Sequence, residues 1–208
     1  MTRFLRAHPV LSTVSALYIL AFAALAVVKG NSEFVMYTVV VALAAAAVVL
    51  LDAKVARIPA WLLWCLSAWG LLHMLGGNVP LTRSDGERIV LYSLWLVPFN
   101  GAEGWLKYDQ VIHAFGFFTS ACVCAVLLTP LVREGRRTGP LPYVFAALAG
   151  MGLGALNEVV EFVAVLTLPE TNVGGYINTG WDLVANGVGA TIGGVLMWTL
   201  AKREAANR

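Results

Sequence analysis

Residues 108–131 read YDQVIHAFGFFTSACVCAVLLTPL. Beyond His113 the stretch carries no charge, and it is long enough to cross the hydrocarbon core of a bilayer, which takes about 20 helical residues. Asp109 and His113 stand four apart and so share a helical face, and Gly116, Ser120 and Cys124 continue that stripe. Ionisable groups at membrane depth are expensive unless they face the interior of a bundle. The stretch therefore predicts an all-α, polytopic membrane helix bundle with a polar interior near one end of this span.

The rest of the chain agrees. Of 208 residues, 59% are hydrophobic and only 12% charged, with a mean hydropathy of +0.77. A water-soluble domain carries about twice that share of charge, so composition excludes disorder, nucleic-acid binding and an ordinary soluble fold. The formal charge of +2 says little about partners. Six spans are predicted, at about 10–28, 34–51, 58–75, 109–131, 141–168 and 180–201. Together they make a single transmembrane domain over 1–208, in which the first two helices (10–51) carry no motif. Arg3 and Arg6 before an apolar run resemble a signal peptide, with Ala21-Phe22-Ala23 as a cleavage site, but the run continues to Val28, the length of a retained helix.

Six spans place both termini on one side, with Arg3, Arg6, Lys54, Arg57, Arg133, Arg136, Arg137, Lys202, Arg203 and Arg208. These are ten of the fourteen basic residues. The excess marks that side as cytoplasmic, and Arg133-Glu134-Gly135-Arg136-Arg137 is its clearest stop signal. The long connection 76–107 then lies outside. It opens with a turn cluster, Gly76-Gly77-Asn78-Val79-Pro80, and its apolar middle, Ile89 to Val97, is too short to span; it lies in the interface or re-enters partway.

Within this frame the polar residues converge. His73 ends the third span. Asp109 and His113 open the fourth, Glu158 and Glu161 fall in the last third of the fifth, and Asp182 and Asn186 open the sixth. The third and fifth spans run outward and the fourth and sixth inward, so all six ionisable residues reach one level near the outer face. Gly150 and Gly154 precede Glu158 on its stripe, and Gly189 and Gly193 follow Asn186; small residues let helices approach closely in lipid. Four carboxylates in a low-dielectric chamber require counter-charge, and no Lys or Arg lies within the fourth, fifth or sixth span. His73, Asp109, His113, Glu158, Glu161 and Asp182 form a ligand set for one or two divalent cations: iron or manganese, with zinc also compatible.

These residues also carry a resemblance. His73-x-x-Gly76-Gly77, Tyr108-Asp109-x-x-x-His113, Glu158-x-x-Glu161 and Trp181-Asp182-x-x-x-Asn186-x-x-Gly189-Ala190 resemble the YjdF-type bacterial inner-membrane proteins, a family of unknown function. The pieces also look like the wider VanZ-like group, named after a protein linked to glycopeptide-antibiotic resistance. The likeness covers about His73 to Leu200. YjdF-type sequences carry a further acid just before the Trp-Asp pair, where this chain reads Gly175-Tyr176-Ile177-Asn178, and VanZ-like sequences tend to have Gln at the position of Glu161. The resemblance implies a multi-pass protein of the bacterial inner membrane with a shared polar core, and no reaction.

Two functional classes fit these residues. The first is a metal-dependent membrane enzyme, a hydrolase in its simplest form, acting on a lipid or lipid-linked substrate. One of Glu158 and Glu161 would ligate and the other act as general base on water. Tyr108, Arg83, Arg88 and Lys107 at the outer interface would meet a phosphate or anionic headgroup, and Asn157 and Asn186 would contact substrate or orient neighbours. The second is a proton- or cation-coupled transporter, or a binding protein for a small molecule or antibiotic; against it, the ionisable residues sit at one end rather than at the midplane. A structural hydrogen-bond network is the plainest alternative. His8 reads as solvated, the seven tryptophans as interfacial or packing residues, and Cys65, Cys122 and Cys124 as buried thiols; on a helix Cys122 and Cys124 diverge by about 200° and make a poor metal pair.

Overall fold

The computed structural model describes residues 2–83, 86–99, 104–132 and 139–207; the basic run 133–137 and Arg208 lie outside them. Among the described residues seven helices succeed one another in chain order: α1 Thr2–Ala7, α2 Pro9–Lys29, α3 Ser32–Lys54, α4 Ala60–Asn78, α5 Tyr108–Val132, α6 Leu141–Thr167 and α7 Tyr176–Ala206. All but the short α1 are long and apolar enough to cross a membrane, so the chain is a polytopic helical membrane protein with six candidate spans. Pro9 opens α2, where its missing N–H costs nothing. Gly30, at φ +65°, ends α2 in the left-handed conformation, and the Asn31 side chain accepts from Phe34 N at 3.1 Å to start α3, so two residues reverse the chain.

The centre of the bundle is α5, α6 and α7. Small residues set their approach: a Cβ on Gly189 of α7 would strike the Ala114 carbonyl of α5, one on Gly193 would press on the Phe118 carbonyl, and Gly150 of α6 lies against Ala121 and Ala190. α4 joins by laying Trp69 over Gly116. α2 and α3 complete the outer side. At one end Phe4, Leu11, Ile58, Leu62, Leu63, Cys122 and Val123 form an apolar core. There the buried Asp52 carboxylate accepts from Arg57 Nη1 at 2.8 Å and Ile58 N at 2.9 Å and turns α3 into α4. Large apolar side chains such as Leu17, Leu20, Leu43 and Phe162 are exposed around the bundle, as lipid contact demands.

The outer connection differs from the sequence expectation. Gly76 and Gly77 are not turn residues: α4 runs through Asn78, and the two glycines leave room for the rings of Tyr92 and Phe34 against the helix. Beyond Asn78 the described residues of this connection form no spanning helix but a cap of two antiparallel hairpins. β1 (Pro80–Thr82) pairs with β2 (Arg88–Val90), and β3 (Trp95–Pro98) pairs irregularly with β4 (Gly104–Lys107). A single 3-10 turn, Leu91–Ser93, links them and points Tyr92 into the bundle. The last helix also starts a turn earlier than hydropathy indicates, at Tyr176, because Tyr-Ile-Asn-Thr-Gly is helical although not apolar.

Candidate metal centre

His113 is the hub. It is buried, and its ring lies among residues of α5, α6 and α7. Nδ1 lies 3.0 Å from Asn186 Oδ1, and Asn186 Nδ2 donates to Glu158 Oε1 at 3.2 Å. A carboxylate only accepts, so the amide NH2 faces Glu158, its oxygen faces the ring, and Nδ1 carries the hydrogen. Nε2 is left toward Asp109 Oδ1 at 3.5 Å and Glu161 Oε1 at 3.8 Å. Gly154 makes this possible: a Cβ there would collide with the Asn186 side chain.

Asn178 ties the second half together. Its Nδ2 donates to Asp182 Oδ2 at 2.6 Å and Asp109 Oδ2 at 3.2 Å, while its Oδ1 accepts from Lys107 Nζ at 3.0 Å. Asn157 Nδ2 donates to Glu161 Oε1 at 2.8 Å. Two overlapping donor sets result: Asp109, His113 and Asp182, and His113, Glu158 and Glu161, each with ligand atoms within 4.8 Å of one another.

These residues fit a divalent cation. Donors about 2.1 Å from a tetrahedral ion lie about 3.4 Å apart, close to the separations around Nε2. Glu158 Oε2 and Asp182 Oδ1 are buried and lack a hydrogen-bond partner among the described residues, although leaving a buried carboxylate oxygen unmet is costly. The Nδ1–H bond to Asn186 is the kind of outer contact that fixes a ligating imidazole.

A cavity of about 30 Å³ adjoins the cluster, lined by Asp109, Glu161 and Asn178 together with Glu33, Tyr37, His73 and Tyr92. It has room for a water or an ion. His73 belongs to neither donor set; it faces this cavity, and its Nδ1 is 2.5 Å from the Tyr92 hydroxyl. That hydroxyl also lies 2.8 Å from the His73 carbonyl, so one phenol bridges the ring and the backbone of the same residue. Burial, then the charges of Asp109 and Glu161, hold the Tyr92 phenol well above the ordinary tyrosine range, and it stays a neutral donor.

The expected outer-interface residues separate. Lys107 reaches the centre through Asn178. The Tyr108 hydroxyl is spent on the Leu72 carbonyl at 3.0 Å, a packing bond. Arg83 pairs with Glu87 at 2.5 Å across the β1–β2 turn, and Arg88 is exposed on β2. Glu33, Tyr37, Asn178 and Tyr92 line the chamber but are absent from the sequence-derived set, as are Asn172, Val173 and Gly174. Asn178 extends the Asp182–Asn186 stripe by one turn, and Glu33 and Tyr37 are themselves four apart; that spacing is the signal they offer. Tyr92 has none, since only the cap geometry delivers it.

No curated protein and no solved structure matches the chain. Over residues 10–203, the first two spans included, the chain matches a family model and belongs to the family described as "Predicted membrane protein (DUF2238)".

Proposed function

We propose that the protein is a metal-dependent enzyme of the bacterial inner membrane, with its centre toward the periplasmic face and a lipid or lipid-linked molecule as substrate. The observation that carries this reading is the pairing of His113 Nε2, oriented between Asp109 and Glu161, with two buried carboxylate oxygens, on Glu158 and Asp182, that no donor among the described residues meets. His113, Asp109, Asp182 and Glu161 would hold the ion, which supplies Lewis acidity when bound. Glu158, fixed by Asn186 through one oxygen, would use the other to accept a proton from water rather than to hold the ion. Asn186 holds the His113 ring, and Asn157 holds Glu161. The motif likeness to YjdF-type and VanZ-like proteins rests on these same positions.

Transport is less well supported. Below the centre the Ser120 hydroxyl is committed to the Gly116 carbonyl at 2.9 Å, and Gly189 and Gly193 are packed against α5 backbone. Elemental analysis of the detergent-purified chain tests the proposal. Stoichiometric zinc, iron or manganese is expected, reduced severalfold in His113→Ala and Asp182→Ala. Trace metal indifferent to both substitutions would remove the reading.

A further inference from the structure

At Asn178, which lines the chamber, the adjoining surface that we take as its mouth is amphipathic in a specific way. Lys107 ends β4, and its ammonium group donates to Asn178 Oδ1 and lies 5.0 Å from the centre of the Trp95 ring. It makes no direct ion pair with Asp109 or Asp182 among the described residues, although Asn178 touches both. An ammonium has three donors, so this cation is held at the entrance by a neutral amide and an aromatic face, with capacity for an anion.

The surroundings are apolar and outward. On the β3–β4 hairpin Leu96, Val97, Phe99 and Trp105 are exposed, Trp105 by 78%. On the first turns of α7 Tyr176, Ile177 and Trp181 are exposed, Tyr176 by 90%. A shallow groove of about 330 Å³ runs down α7 from Tyr176 and Ile177 past Trp181 to Val184. Apolar surface on both sides of one cation matches an amphiphile whose negative head meets the lysine while its chain lies on the hairpin and the helix.

We propose that this mouth is the docking site for an anionic phospholipid-type substrate, its headgroup phosphate binding Lys107 in exchange for the Asn178 amide oxygen. The exchange frees Asn178 beside Asp109 and Asp182, so headgroup entry and access to the carboxylates are one event. The inference rests on the reading of the chamber as a site for a lipid-derived substrate and names its class. Free phosphate lacks the part that the exposed aromatic and aliphatic rim would contact.

The test is native mass spectrometry of the detergent-purified chain titrated with phosphatidylglycerol or with phosphatidylcholine of the same acyl chains. The wild type should retain phosphatidylglycerol about fivefold better, the effect of one basic residue on an anionic headgroup. Lys107→Gln should erase that preference and Lys107→Arg should keep it. Equal retention of the two lipids by the wild type, an unchanged preference in Lys107→Gln, or displacement of the lipid by equimolar inorganic phosphate would overturn the proposal. Metal content measured on the same samples separates the two readings. A preference lost in Lys107→Gln with metal unchanged supports the docking site whether or not the wild type carries metal, and a metal-loaded wild type with no preference overturns the docking site alone.

Discussion

Asn186 shows how a neutral side chain can govern charged ones. It is 1% exposed, and its amide is used at both ends, the oxygen toward His113 and the nitrogen toward Glu158. Replacing it with alanine removes the group that fixes which imidazole nitrogen carries hydrogen. Asn186→Ala is expected to weaken metal retention about 10–100-fold, as loss of an outer-shell partner does, measured by competition with a chelator. Retention equal to wild type would mean that His113 is held in place by packing alone. Asn178 has the same chemistry one level outward, between Lys107 and two aspartates, yet hydropathy alone places it in a loop.

At the scale of elements, the α5–α7 contact decides whether the ligands meet. Gly189 lies about one turn below Asn186 and directly on the Ala114 backbone, beside His113. A side chain there must push α7 away from α5, and with it Asp182 away from Asp109. Gly189→Val should lower stability by about 1–3 kcal/mol, the usual cost of overpacking, and release metal. Gly152→Ala is the matched control: a Cβ at 152 meets nothing within 4 Å, and replacing glycine within a helix should be neutral or slightly stabilising. Thermal unfolding in detergent, monitored together with metal content, distinguishes them; equal behaviour of the two variants would show that close approach is not what positions the site. The cap is the other decisive element. Its two hairpins are short, but they carry Tyr92 to His73 and Lys107 to Asn178 at one end of the bundle.

For the whole molecule, the ends of the six spans define two faces. The hairpin cap, the α2–α3 reversal, the α7 N-terminus and the polar chamber share one of them; Asp52 with Arg57 and the C-terminal end of α7 occupy the other. From the distribution of Lys and Arg, we propose that the second face is the cytoplasmic one. In a cysteine-free background, a cysteine at Gly86 should react with an impermeant maleimide added to intact cells, and one at Ala206 only after permeabilisation. The opposite pattern would invert the protein and turn the chamber to the cytoplasm.

What the amino-acid order determined was local and periodic. Span number and length derive from runs of apolar residues, and the shared faces of Asp109 with His113, Glu158 with Glu161, and Asp182 with Asn186 derive from about 3.6 residues per turn. Those relations hold in any helix and need no neighbour. The tertiary structure decided the rest: that Nε2 rather than Nδ1 of His113 faces Asp109 and Glu161, that His73 is engaged by Tyr92, that Glu33 and Tyr37 of a motif-free helix line the cavity, and that Lys107 stops at an amide. Each depends on helix rotation, on the approach set by Gly154 and Gly189, and on a cap whose path carries no periodic signal. Hydrogen-bond partners across helices are fixed by these distances in space, and separations of 28 to 73 residues along the chain leave no trace of them in a single sequence.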